Sequence, residues 1–113
     1  MLRLGAAATA AALLVGAAQA GMAEGTYECW YFSQAQPGLN VTVTGPTTYT
    51  AVADGSTGEY ALSGTNLTWV SGLMKGAMPD GFTTLYEVRQ GIPTIAFMSG
   101  RGAEAAFCQN TGG

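Results

Sequence analysis

The chain has 113 residues, no histidine, 10% charged side chains and a formal net charge of −3. Four cations cannot make the basic stripe that neutralises phosphates, so nucleic acid is not an expected partner. Without histidine the commonest general base, the usual catalytic triads and the commonest metal ligand are missing, and the sequence reads as a protein that is not an enzyme.

Residues 1–20 read as a cleaved signal peptide. Arg3 is the lone charge of a short amino-terminal region, Leu4 to Val15 form an apolar run rich in Ala and Leu, and Ala18-Gln19-Ala20 fits the small-x-small cleavage rule. Cleavage there starts the mature chain at Gly21, and a second acceptable site follows Ala23. The apolar run spans about 15 residues, short of the roughly 20 needed to cross a bilayer, and no membrane span is expected once it is removed. The alanine-rich leader is of bacterial type, so the expected location is exported, in a periplasm or outside the cell.

Residues 21–113 are short enough for a single domain. Removing Arg3 with the leader moves the formal charge to −4. Cys29 and Cys108 stand near the ends of this domain, and an even count in an oxidising compartment predicts a disulfide between them. Closing a loop of roughly 80 residues stabilises by up to about 4.5 kcal/mol in the chain-entropy account. No Cys-x-x-Cys motif supports redox chemistry, and two thiols without histidine leave a zinc site short of ligands. No metal and no cofactor are expected.

Apolar and polar residues then alternate at period two, the mark of strands with one buried face. Strands are predicted near 26–32, 40–44, 47–53, 58–63, 65–70, 83–89, 92–98 and 104–109, separated by turn signals such as Pro37-Gly38, Gly45-Pro46, Asp54-Gly55 and Gln90-Gly91. The fold class is all-β: one antiparallel meander of about eight strands closing into a barrel or two-sheet sandwich, which hides its edges. A bond between Cys29 and Cys108 makes the first and last strands neighbours. In the first strand Tyr27, Cys29 and Tyr31 share one face while Trp30 and Phe32 share the other. Tyr27, Tyr60, Trp69, Tyr86 and Phe97 are bulky enough to fill a small interior. Asn40-Val41-Thr42 and Asn66-Leu67-Thr68 have the form of glycan acceptors but read as threonine-rich strand composition.

Ser71 to Phe82 is the longest break in the strand pattern, and it carries Leu73, Met74, Met78 and Phe82. Gly72, Gly76 and Pro79 limit it to one helical turn around Leu73 to Ala77. A loop of this length is either functional or folded back as a flap over a barrel end, with Leu73 and Met78 as plugs.

The segments Gly58-Glu59-Tyr60-Ala61-Leu62-Ser63-Gly64 and Asn66-Leu67-Thr68-Trp69-Val70-Ser71-Gly72 resemble a strand-turn-strand pattern of small exported bacterial β proteins of unassigned function. Thr94-Ile95-Ala96-Phe97 and Ala105-Ala106-Phe107-Cys108 resemble their closing strands. The resemblance implies a disulfide-containing β fold and no catalytic residue.

The functional expectation is a non-enzymatic binding or structural module of the cell envelope, contacting an unidentified protein or glycan. Candidate binding residues are Trp30 and Phe32 on the first strand, with Phe107 beside them, and Leu73, Met74, Met78 and Phe82 on the loop. A lipocalin-like small-molecule carrier is the alternative, and an interior cavity of about 300 Å³ or more would favour it. A protease inhibitor is a further alternative by analogy of fold.

Overall fold

The computed structural model describes residues 21–112, so the leader predicted over residues 1–20 lies outside the described residues. The strands are β1 (Gly25–Tyr31), β2 (Gln34–Ala35), β3 (Val41–Val43), β4 (Thr48–Ala51), β5 (Thr57–Ser63), β6 (Asn66–Trp69), β7 (Thr83–Arg89), β8 (Ile92–Met98) and β9 (Glu104–Asn110). A 3₁₀ turn (Pro37–Leu39) precedes β3, and one short helix, α1 (Leu73–Ala77), follows β6.

Every pairing is antiparallel. The order β1-β3-β4-β5-β6-β7-β8-β9 closes when β9 pairs with β1, giving an eight-stranded barrel to which β2 is appended as a ninth, two-residue strand. Cys108 stands directly opposite Cys29 across that closing pair, and the two are bonded with Cα atoms 3.8 Å apart. The disulfide therefore fastens the seam at which the meander meets itself.

Period-two alternation places one face of each strand inside. Tyr27, Val41, Val43, Tyr49, Tyr60, Leu67, Trp69, Ile95 and Phe97 are buried together with both cysteines. Tyr86 is half-buried and packs against this core, while Tyr49 takes a full interior place that the sequence reading did not assign to it. Its ring meets Trp69 edge-on with centroids 5.1 Å apart, a geometry worth about 0.5–1.5 kcal/mol beyond area burial. Two glycines make room for it. A Cβ on Gly58 would fall 2.6 Å from the Tyr49 ring, and one on Gly72 would fall 2.6 Å from its hydroxyl oxygen. Gly72 also has φ +89°, a conformation that only glycine adopts freely.

One strand edge is shared three ways. Residues Gly25 to Tyr27 of β1 pair with β3, and Trp30 and Tyr31 pair with β2. Between them the Cys29 N–H donates to Asn40 Oδ1 at 2.8 Å, and the Cys29 carbonyl accepts from the Gln36 N–H at 2.8 Å. Asn40 thus replaces a strand partner, which gives that residue a structural role.

Candidate binding cleft at the barrel mouth

The ends of the barrel differ. At one end, the mouth, stand the β1–β2 hairpin, the β8–β9 turn and the segment from Val70 to Phe82; the other end, the base, carries the β5–β6 and β7–β8 turns.

The ladder between β6 and β7 contains only Asn66 opposite Leu85 and Leu67 opposite Thr84, so Thr68 and Trp69 have no partner on that side. The chain between these strands folds back over the opening. Met74 of α1 is wholly buried in the core, where its N–H donates to the Tyr49 hydroxyl at 3.0 Å while that hydroxyl donates to the Ser71 carbonyl at 2.7 Å. The plug is therefore Met74 rather than Leu73 or Met78. A surface role for Met74 is corrected accordingly: a single turn of helix after Gly72 turns this side chain inward. Leu73, Met78 and Phe82 are half-buried against the core.

Across the split, the Trp69 indole N–H donates to Thr84 Oγ1 at 3.2 Å, and the Thr84 hydroxyl donates in turn to the Met78 sulfur at 3.8 Å. Met78 is thereby tied to the barrel wall. Two clefts open on either side of it and of Phe82. One, of about 340 Å³, follows the split and is edged by Asn66, Thr68, Lys75 and Thr83 as well as by apolar groups. The other, of about 290 Å³, lies at the rim and is walled by Tyr31, Leu39, Met78, Pro79, Phe82 and Phe97, with Ala105 and Ala106 at its floor. The rim cleft contains no charged or amide side chain. It exists because β9 faces its upper part with alanines, which leave volume that a larger side chain would fill.

Beside the rim cleft stands the β1–β2 hairpin tip. Tyr31 pairs with Gln34, so Phe32 and Ser33 form a two-residue turn, and Phe32 has φ +58°. This turn overturns the expected grouping of Trp30 and Phe32 on one strand face. The left-handed residue leaves the strand alternation, so Phe32 projects at 77% exposure and Tyr31, also carried past the rim, is 42% exposed. Their rings lie 4.5 Å apart. Trp30 instead faces outward from the barrel wall, opposite Phe107 across the β1–β9 pair, and both are half-buried. The aromatic surface is thus divided between the wall and the rim.

Of the residues singled out from sequence, the structure brings Phe32, Met78 and Phe82 to the mouth, with Leu73 close by on α1. Tyr31, Leu39, Phe97, Ala105 and Ala106 complete the cleft and were not anticipated there. The usable signal was Ala105-Ala106 at the mouth end of the closing strand, two small residues of which Ala106 is buried. Nothing in the alternation placed Leu39, which reaches the cleft through the 3₁₀ turn.

Among the described residues, no group of three His, Cys, Asp or Glu side chains is placed to hold a metal ion. Glu87 and Glu104 both pair with Arg89, each at 2.6 Å, and raise its already high pKa further. No described helix is long and apolar enough to cross a membrane. The fold and cleft define a small disulfide-closed β-barrel with an apolar rim. The chain matches no protein-family model, no curated protein and no solved structure.

Proposed function

We propose that the chain is an exported, non-enzymatic binding module that receives an apolar side chain of a protein partner in the rim cleft, with Phe32 and Tyr31 as the flanking contacts. The observation that carries this reading is the apolar cleft of about 290 Å³ beside an aromatic residue held exposed in a left-handed turn. Exposed, contiguous apolar surface marks interaction sites, and strained backbone gathers where function requires it. A glycan would need polar side chains to meet its hydroxyl groups, and the cleft offers only the Tyr31 hydroxyl.

A carrier of lipocalin type has less support, because the barrel interior is occupied by Tyr27, Tyr49, Tyr60, Trp69 and Met74. Both clefts lie at the mouth and wall, and the rim cleft falls just below the usual size of a small-molecule pocket. Protease inhibition would be one version of the proposed function, with the Phe32 tip entering a specificity pocket.

A photo-activatable residue at position 32, and separately at position 65 in the turn at the base, tests the proposal in cells that make the protein naturally. A discrete protein adduct from position 32 and none from position 65 is expected. Equal labelling from both positions, or no protein adduct at position 32, would remove the rim as a protein-binding surface.

A further inference from the structure

The base of the barrel is closed by Gly21, Met22 and Ala23, the three residues that separate the two acceptable leader cleavage sites. These residues belong to no strand, yet two of their polar connections reach far along the chain. The Met22 N–H donates to the Tyr60 hydroxyl at 3.0 Å, and that hydroxyl donates to the Gly45 carbonyl at 2.8 Å. The Ala23 N–H donates to the Tyr86 hydroxyl at 2.9 Å, while the Ala23 carbonyl accepts from the Tyr27 hydroxyl at 2.6 Å. The Met22 side chain enters the core and is 3% exposed. One residue further on, the Glu24 carbonyl accepts from the Asn110 side-chain amide at 3.1 Å.

Gly21 fits only because it has no side chain. A Cβ there would fall 2.5 Å from the Pro46 carbonyl oxygen and 2.6 Å from the Tyr60 hydroxyl. The glycine after the small-x-small sequence is thus required by the folded barrel, whatever a peptidase asks of that position.

We infer that the peptide bond between Ala20 and Gly21 is a proteolytic processing site, and that the segment left as the new amino terminus, Gly21-Met22-Ala23, is the plug of the barrel base. A leader peptidase of small-x-small specificity hydrolyses the bond: one water is consumed, the C–N bond breaks, Ala20 keeps the new carboxylate and Gly21 the new amine. A cut after Ala23 would leave the Tyr60 and Tyr86 hydroxyls without their donors and the Tyr27 hydroxyl without its acceptor. It would also empty the place of Met22. The two sites look equivalent by residue size, and the tertiary contacts separate them.

Expression of the full chain in an exporting bacterial host, followed by intact mass measurement of the exported product, reads the cut directly. The mass of residues 21–113 is expected. A mass for residues 24–113, or an uncut chain, overturns the inference. In a second measurement, oxidised domains beginning at Gly21 and at Glu24 are melted side by side, and the shorter one is expected to melt lower by about 10 °C or more. Equal midpoints overturn the plug. Should the shorter domain fail to fold, the Gly21→Ala and Met22→Ala variants of the longer one supply the comparison, each expected to lower the midpoint by several degrees; unchanged midpoints in both would sink the plug. None of these readouts depends on what the mouth binds.

Discussion

The two ends of this barrel share one device, a buried methionine whose N–H donates to a tyrosine hydroxyl, Met22 on Tyr60 at the base and Met74 on Tyr49 at the mouth, and they differ in what surrounds it. At the base, backbone groups of a three-residue segment meet tyrosine hydroxyls, so that Tyr27, Tyr60 and Tyr86 each hold a defined partner. At the mouth one methionine fills the core, and the rest of the covering segment leaves an apolar cleft at the rim and a cleft of mixed lining along the split. The Met22–Tyr60 bond is buried, and a buried hydrogen bond is directional and costly to leave unmade, so it specifies a single closure. Apolar packing is non-directional and leaves room for another apolar group to enter. The base is therefore suited to permanence and the mouth to exchange.

The sharpest test of that contrast lies within the mouth, between two methionines four residues apart. Met74→Ala empties a fully buried site and is expected to cost about 2–5 kcal/mol. Met78→Ala removes a half-buried side chain at the edge of both clefts and is expected to cost about 1 kcal/mol or less. Denaturant titration of both variants measures the difference. Similar costs would mean that the whole segment packs as core and that the mouth is as fixed as the base.

A weaker and reversible probe is alkaline pH. Burial raises the pKa values of Tyr27, Tyr49 and Tyr60 above the ordinary value, with neighbouring tyrosines adding to the effect at Tyr27 and Tyr60. A native state that keeps these phenols protonated while the unfolded chain ionises them binds more protons, so stability falls as pH rises. Their contribution is fully present below about pH 10 and is lost progressively above it, toward the folded pKa values. Denaturant midpoints measured from about pH 8 upward are expected to be flat and then to decline past about pH 10. Tyr60→Phe should lessen the decline, and an unchanged slope would remove that hydroxyl from the account.

Much of the architecture was legible because it rests on local periodicity. The alternation of Val41 and Val43 with Thr42 and Thr44, and the turn signals between runs, placed eight strands near their observed positions. The cysteine pair supplied the one long-range fact needed to close the sheet. The sites were less legible, because they arise where periodicity stops. Phe32 counts as a strand residue by alternation and becomes a rim residue through a two-residue turn. Met74 looks like a loop residue until one helical turn points it inward. Gly21 to Ala23 carry only a small-x-small cleavage pattern, which says nothing of their contacts with Tyr27, Tyr60 and Tyr86.

The smallest expected effect has the opposite sign from the others. Phe32 occupies φ +58°, where a residue with a Cβ is disfavoured by roughly 1–2 kcal/mol and asparagine is better tolerated. Its side chain is largely exposed, so little packing is lost when it is replaced. Phe32→Asn is therefore expected to stabilise the domain, by about 0.5–1 kcal/mol, while weakening any adduct that forms through the rim. Thermal melting and the crosslinking yield from a photo-activatable residue at the neighbouring position 31 measure the two effects separately. A gain in stability with a loss of binding would place Phe32 among residues kept for contact at the expense of the fold. A loss of stability would show instead that the ring, through its contact with Tyr31, helps to hold the hairpin, and the mouth would then resemble the base more than its apolar lining implies.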